Sequence, residues 1–220
     1  MSRGLYSGVA RQLGRGATSD DASVVLLCVP DREIGAASDV LAPGRIVGHV
    51  SASAPLSLLE PHERFIMHPR LSVDGEAPFA GATYAVDGST ARALGIARIL
   101  AERVGMRARE VPTEKRALYH AAASSAANYV TTLLGMAESL AGEVGLDREA
   151  LSPVVRAAVN NWATLGARAA LTGPIARGDE DTVRRQRDAV AEARPDLLPF
   201  WDALVTATRE LAGKPAPGGP

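Results

Sequence analysis

The chain has 220 residues, 46% of them apolar and 22% charged, with a formal net charge of −1. That is enough apolar surface for a packed core, which excludes global disorder, and the missing positive charge argues against a general nucleic-acid binder. A single cysteine, Cys28, excludes an internal disulfide and any multi-thiolate zinc site, and the four histidines lack metal-ligand spacing. No run reaches the ~18 apolar residues of a membrane helix, and the start lacks a secretory apolar region. These features predict a cytoplasmic protein with no membrane and no nucleic-acid partner.

The early chain reads as alternating strands and helices. Val24 to Val29 is an unbroken apolar run closed by Pro30, which suits a strand buried on both faces of a parallel sheet, with Cys28 in the core. Such a strand needs a neighbour on each side. Either residues 3–14 supply a makeshift one or the natural beginning is missing. The glycine-rich piece Leu13-Gly14-Arg15-Gly16 is not a phosphate fingerprint, because no strand precedes it. Asp31 is placed to cap a helix running to about Leu41. Further strands are predicted at 45–50, 65–68, 83–86 and 107–111, with a helix over 89–104 whose Ala93, Leu94, Ile96, Ala97, Leu100, Ala101 and Val104 form one stripe. His62 reads as a surface-loop residue.

From Thr113, read as an N-cap, the pattern is helical. One helix is predicted from there to Val144, roughly 45 Å at 1.5 Å per residue, stopped by Gly145. Others follow at about 147–171, 179–193 and 195–211, with Asp147 and Asp179 as caps. The expected fold class is therefore α/β: an incomplete Rossmann-like, parallel-sheet domain over 1–112, an all-α domain over 113–212, and a disordered tail over 213–220.

Several side chains can carry chemistry. Asp31 ends a strand at the edge where α/β sheets take ligands, and its plain alternative is a cap. Ser51 and Ser53 follow the next strand as donors for a carboxamide or carboxylate, or as turn serines, the turn role fitting Ser53 better. His68 ends a third strand as a possible acid or base. His120, Ser124 and Asn128 recur at i, i+4 and i+8, each about 40° from the last, so they share a polar stripe on an alanine-rich helix. Arg177 can clamp a carboxylate or phosphate. Lysine occurs only at Lys115 and Lys214, both read as solvated charges, and Arg184, Arg185 and Arg187 as a solvated face. Asn160-Asn161-Trp162 is polar within a helix and reads as packing, with an interdomain cleft or a dimer seam as the alternative.

Taken together, VVLLCVPDREI, GHVSASAPL, HERFIMHP, RALYHAAASSAANY and ALTGPIARGDEDTV resemble a bacterial family of Rossmann-like proteins with a C-terminal helical domain of unknown function 2520. The resemblance runs over about residues 13 to 212. The family is similar in layout to 6-phosphogluconate and 3-hydroxyisobutyrate dehydrogenases and to ketopantoate reductase. It implies an NAD(P)-dependent oxidoreductase acting on a small oxo- or hydroxyacid, dimeric through its helices. The alternative is a dehydrogenase-shaped ligand sensor or assembly protein without activity. The resemblance places Val29, Pro30, Asp31 and Ser51 against the cofactor. Ser51, His68 and Arg177 are assigned to the substrate, and His120, Ser124 and Asn128 to catalysis. Asn128 matches the dehydrogenases' helix asparagine, while Ser124 stands where they carry lysine, so His120 is the substitute proton donor. The family's opening strand–GxGxxG–helix unit has no counterpart in this sequence, so the resemblance implies a cofactor site, NADP or NAD, that is incomplete here.

Overall fold

The computed structural model describes Arg11, Gly14 and residues 21–69 and 83–213. Apart from Arg11 and Gly14, the stretch 3–14 and the piece 13–16 lie outside the described residues, as does the tail from Lys214. Two compact units divide between Asn128 and Tyr129.

The first unit is a five-stranded sheet in the order β1 (Val24–Leu27), β2 (Ile46–His49), β3 (Glu63–Pro69), β4 (Thr83–Gly88), β5 (Arg107–Glu110). The pairs β1–β2, β2–β3 and β4–β5 are parallel, and β3–β4 is antiparallel. The sheet is thus parallel-dominated but mixed: β1 to β3 run one way, β4 and β5 the other. Side chains alternate between two apolar layers. Ile46, Phe65, Met67, Tyr84 and Val86 face α2 (Ala91–Arg103), which follows α1 (Ile34–Asp39) in the chain. Leu27, Val47 and Leu59 pack with Ile34 of α1 on the other layer. The α2 stripe closes the first layer through the fully buried Ala93, Ala97 and Ala101. Small residues there let helix and sheet approach closely; a Cβ on Gly88 would lie 2.6 Å from the Leu94 backbone nitrogen.

Three expectations change. β1 is the edge of the described sheet, and Val24 to Leu26 are half-buried rather than enclosed on both faces. Cys28, one residue past the strand, is exposed rather than core. His62 is buried, with its Nε2 3.4 Å from the Ser38 carbonyl oxygen.

The predicted helix over 113–144 is segmented. A 3-10 turn at Thr113–Lys115 leads into α3 (Arg116–Ser124), then a π turn over Ser125–Tyr129, then α4 (Val130–Gly142). Thr113 does not cap, since its hydroxyl donates to Asp87 Oδ2 at 2.6 Å. The π turn takes one residue more than an α turn needs, so Asn128 leaves the azimuth that an unbroken helix would give it relative to Ser124.

The second unit is helical: α5 (Arg148–Leu165), α6 (Ala167–Ala170), α7 (Pro174–Arg177), α8 (Glu180–Ala193) and α9 (Leu198–Ala212) follow α4. Asp147 and Asp179 cap as predicted, accepting from the Ala150 and Thr182 amides. The predicted helix over 147–171 breaks at Gly166, whose φ of 79° ends α5. Arg184, Arg185 and Arg187 are exposed as expected, and on that surface Arg187 donates from Nε and Nη2 to the Asp202 carboxylate at 2.7 and 2.8 Å. Met136, Leu140, Ile175, Trp201 and Leu204 help line an open, mainly apolar cavity of about 250 Å³. No residue of α5 is buried within its own unit, although the helix carries Val154, Val159, Trp162 and Leu165. Trp162, read as packing, is 58% exposed.

Candidate functional site

The richest polar cluster lies at the carboxyl ends of β1, β2 and β3. Val29 and Pro30 turn the chain out of β1, and Pro30 opens a 3-10 turn over Asp31–Glu33 that has no side-chain cap. The Asp31 carboxylate points elsewhere: Oδ2 accepts from Ser51 Oγ at 2.7 Å and from Ser53 Oγ at 2.9 Å. The capping role expected of Asp31 is therefore replaced by a bond to the loop after β2. Partial burial opposes its charge, but the two hydroxyls, with weaker help from His49 and His68, hold the carboxyl below its ordinary range.

Ser51 is buried, and its hydroxyl is fully used. Besides donating to Asp31, it accepts from the Ser53 amide at 3.1 Å and the Ala54 amide at 3.0 Å. The turn-serine role expected of Ser53 falls to Ser51, and Ser53 is exposed. Beneath them His49 is fully buried, and its Nδ1 accepts from the Ser51 amide at 3.2 Å, so the neutral ring carries its proton on Nε2. Burial first, and then the charge of Arg116, push the imidazole down to about 4. His49 is thus uncharged at neutral pH.

Arg116 enters from the first turn of α3. Its Nη2 donates to the Ser51 and Ala52 carbonyl oxygens, both at 2.9 Å, and the side chain is buried. One turn later Tyr119 meets His68: Nδ1 and Oη are 3.0 Å apart and the rings stand edge to face at 88°. Asp31, Ser51, Ser53 and His68, read from the sequence, are thus joined by His49, Arg116 and Tyr119, which the sequence reading missed. Arg116 had a signal: a cation in the first turn opposes the helix dipole, so such a residue has business elsewhere. His49, inside an apolar strand, also had one. Tyr119 had none, because its contact spans 51 residues.

His120 is exposed on α3 and takes part in none of these bonds; Ser124 is half-buried and Asn128 exposed. Arg177 is exposed at the end of α7 in the second unit. Among the described residues no group of acidic, histidine or cysteine side chains could hold a metal ion, and no helix is long and apolar enough to cross a membrane.

Comparison with known proteins identifies the fold. Protein TM1727 from Thermotoga maritima superposes with a TM-score of 0.77 at 26% identity, over 87% of this chain and 79% of that one. A candidate NADP oxidoreductase from Bacteroides fragilis gives 0.75 at 18%, over 86% and 76%. The pyrroline carboxylate reductase of Plasmodium falciparum, solved with NADP bound, gives 0.55 at 9%, over 89% and 81%. These likenesses establish a Rossmann-like fold followed by a helical region. No curated protein matches the chain. The family model described as Domain of unknown function (DUF2520) matches residues 82–208, more than half of the sequence, and the chain belongs to that family.

Proposed function

We propose that the protein is an NAD(P)-dependent oxidoreductase acting on a small oxo- or hydroxyacid, in the manner of the 3-hydroxyacid dehydrogenases and ketopantoate reductase. One observation carries the reading: Asp31, Ser51 with Ser53, and His68 stand at the carboxyl ends of three successive parallel strands, where open α/β sheets take their ligands. The resemblance to solved oxidoreductases of the same fold supports it.

The residues present fit the nicotinamide–ribose end of such a cofactor. An ionised Asp31 suits ribose hydroxyls, and the exposed Ser53 hydroxyl beside it suits a carboxamide. A bound nicotinamide supplies or accepts the hydride. A glycine-rich turn to cradle the pyrophosphate is not among the described residues. Ser51 and Arg116 act as loop-setters: Ser51 ties Asp31 to the 51–54 turn, and Arg116 holds the same turn by its carbonyls. His120, with Ser124 and Asn128, is the sequence's candidate for proton transfer, and Arg177 its candidate for a substrate carboxylate.

Calorimetric titration with NADPH and NADH, then a panel of 2- and 3-oxoacids followed at 340 nm, tests the proposal. Saturable binding is expected, weakened about tenfold in Asp31→Ala, the loss of one charge-assisted contact. Absence of binding sinks the reading. Binding without turnover of any oxoacid favours the ligand-sensing alternative.

The helical unit supports self-association. An 18-residue helix with no buried residue is unstable alone in water unless something covers its apolar side. A homodimer sealed over Val154, Val159, Trp162 and Leu165 meets that need. Light scattering should give twice the chain mass, and Val159→Glu with Trp162→Glu should raise the dissociation constant at least about 100-fold, since two charges would be forced into an apolar seam. A wild-type protein that stays monomeric at every concentration refutes this.

A further inference from the structure

We infer that His68 is the residue that carries the proton in this reaction and that Tyr119 positions it. The inference rests on the oxidoreductase reading and adds to it the group that handles the proton.

His68 is half-buried at the end of β3, on the same edge as Asp31 and Ser51. Its ring is held from α3 by the 3.0 Å contact between Nδ1 and Tyr119 Oη and by the edge-to-face stack at 5.8 Å. Three residues before Tyr119, Arg116 fixes α3 to the loop after β2, so the tyrosine is itself anchored. The surroundings of His68 are mixed in charge. The Asp31 carboxylate lies near enough to interact with it, His49 in β2 is neutral, Arg116 on α3 is cationic, and its register partner on β4 is the uncharged Ala85.

The Tyr119 contact engages Nδ1 of the ring. In this assignment Nδ1–H donates to Tyr119 Oη, and the proton that the imidazolium releases is then the one on Nε2. In the reducing direction the Nε2–H bond breaks and an O–H bond forms on the substrate carbonyl oxygen, while the carbonyl carbon takes the hydride that reduced nicotinamide supplies. The product is a hydroxyacid and a neutral His68 that keeps its Nδ1–H on Tyr119, and a solvent proton restores Nε2–H. In the oxidising direction the bare Nε2 takes the alcohol proton. His120 has no comparable holder: it is exposed, and no hydrogen bond fixes its ring in this cluster.

Two measurements test the assignment. By nitrogen-15 NMR of histidine-labelled protein, neutral His68 should show the Nδ1–H tautomer, and Tyr119→Phe should shift it toward Nε2–H. In oxoacid reduction, His68→Gln should lower kcat about 100- to 1,000-fold with NADPH affinity unchanged. Tyr119→Phe should lower kcat about tenfold with KM unchanged. Full activity in His68→Gln, or a His68 tautomer indifferent to Tyr119, overturns this inference while leaving the oxidoreductase reading in place. A wild-type protein that binds no nicotinamide cofactor overturns both.

Discussion

Lowering the pH from 7 to about 4 should weaken the fold by about 3 kcal/mol through His49 alone. The folded imidazole titrates at about 4 against an ordinary value of 6.5. Burial is the main cause and the Arg116 charge the second, with Asp31 opposing. Between those two values the unfolded chain binds a proton that the folded chain refuses. Stability is therefore fully present above about pH 6.5, falls as the pH drops toward 4, and levels off below. Carboxylates elsewhere also respond to acid, so the measurement is a comparison. Urea midpoints of wild type and His49→Asn, whose side-chain oxygen can still accept from the Ser51 amide, should converge as the solution is acidified. If both lose stability in parallel from 6.5 to 4, His49 is not a buried neutral base and the floor of the cluster is wetter than described.

The second large effect lies one residue earlier in β2. Gly48 is the register partner of Phe65, and a Cβ there would sit 2.3 Å from two ring atoms. The ring is fully buried among Ile46, Met67, Tyr84 and the alanines of α2, so it has nowhere to retreat. Gly48→Ala should cost about 3 kcal/mol, the upper end of overpacking losses. Phe65→Leu should relieve part of that cost, so the double variant should be more stable than the two single losses predict when added. Thermal melts of the four proteins decide it. An unchanged melting temperature in Gly48→Ala would mean the sheet is free to spread at this point.

Much of this architecture was legible because it is written in local patterns. The alanine stripe of α2 and the Asp147 and Asp179 caps each depend on residues within a few positions and formed as read, and the apolar run at Val24 formed a strand, though a half-buried one at the edge of the described sheet. What failed was non-local or depended on competition. Asp31 has the right spacing for a cap, but the hydroxyls of Ser51 and Ser53, 20 and 22 residues away, take its carboxylate instead. Thr113 is drawn off in the same way by Asp87. The reversal between β3 and β4 follows a connection of which no local pattern gives the direction. The stripe of His120, Ser124 and Asn128 assumed 3.6 residues per turn throughout, and the π turn breaks that assumption inside the stripe.

That five-residue turn has a consequence for how this part of the sequence can change. It absorbs a single surplus residue without unwinding the segments on either side. The stretch from Arg116 to Gly142 can shed that residue there and close into regular helix, while a deletion between Arg116 and Tyr119 would swing those two side chains out of phase with each other. Length variation along this helical run is therefore tolerable at Ser125–Tyr129 and costly between Arg116 and Tyr119.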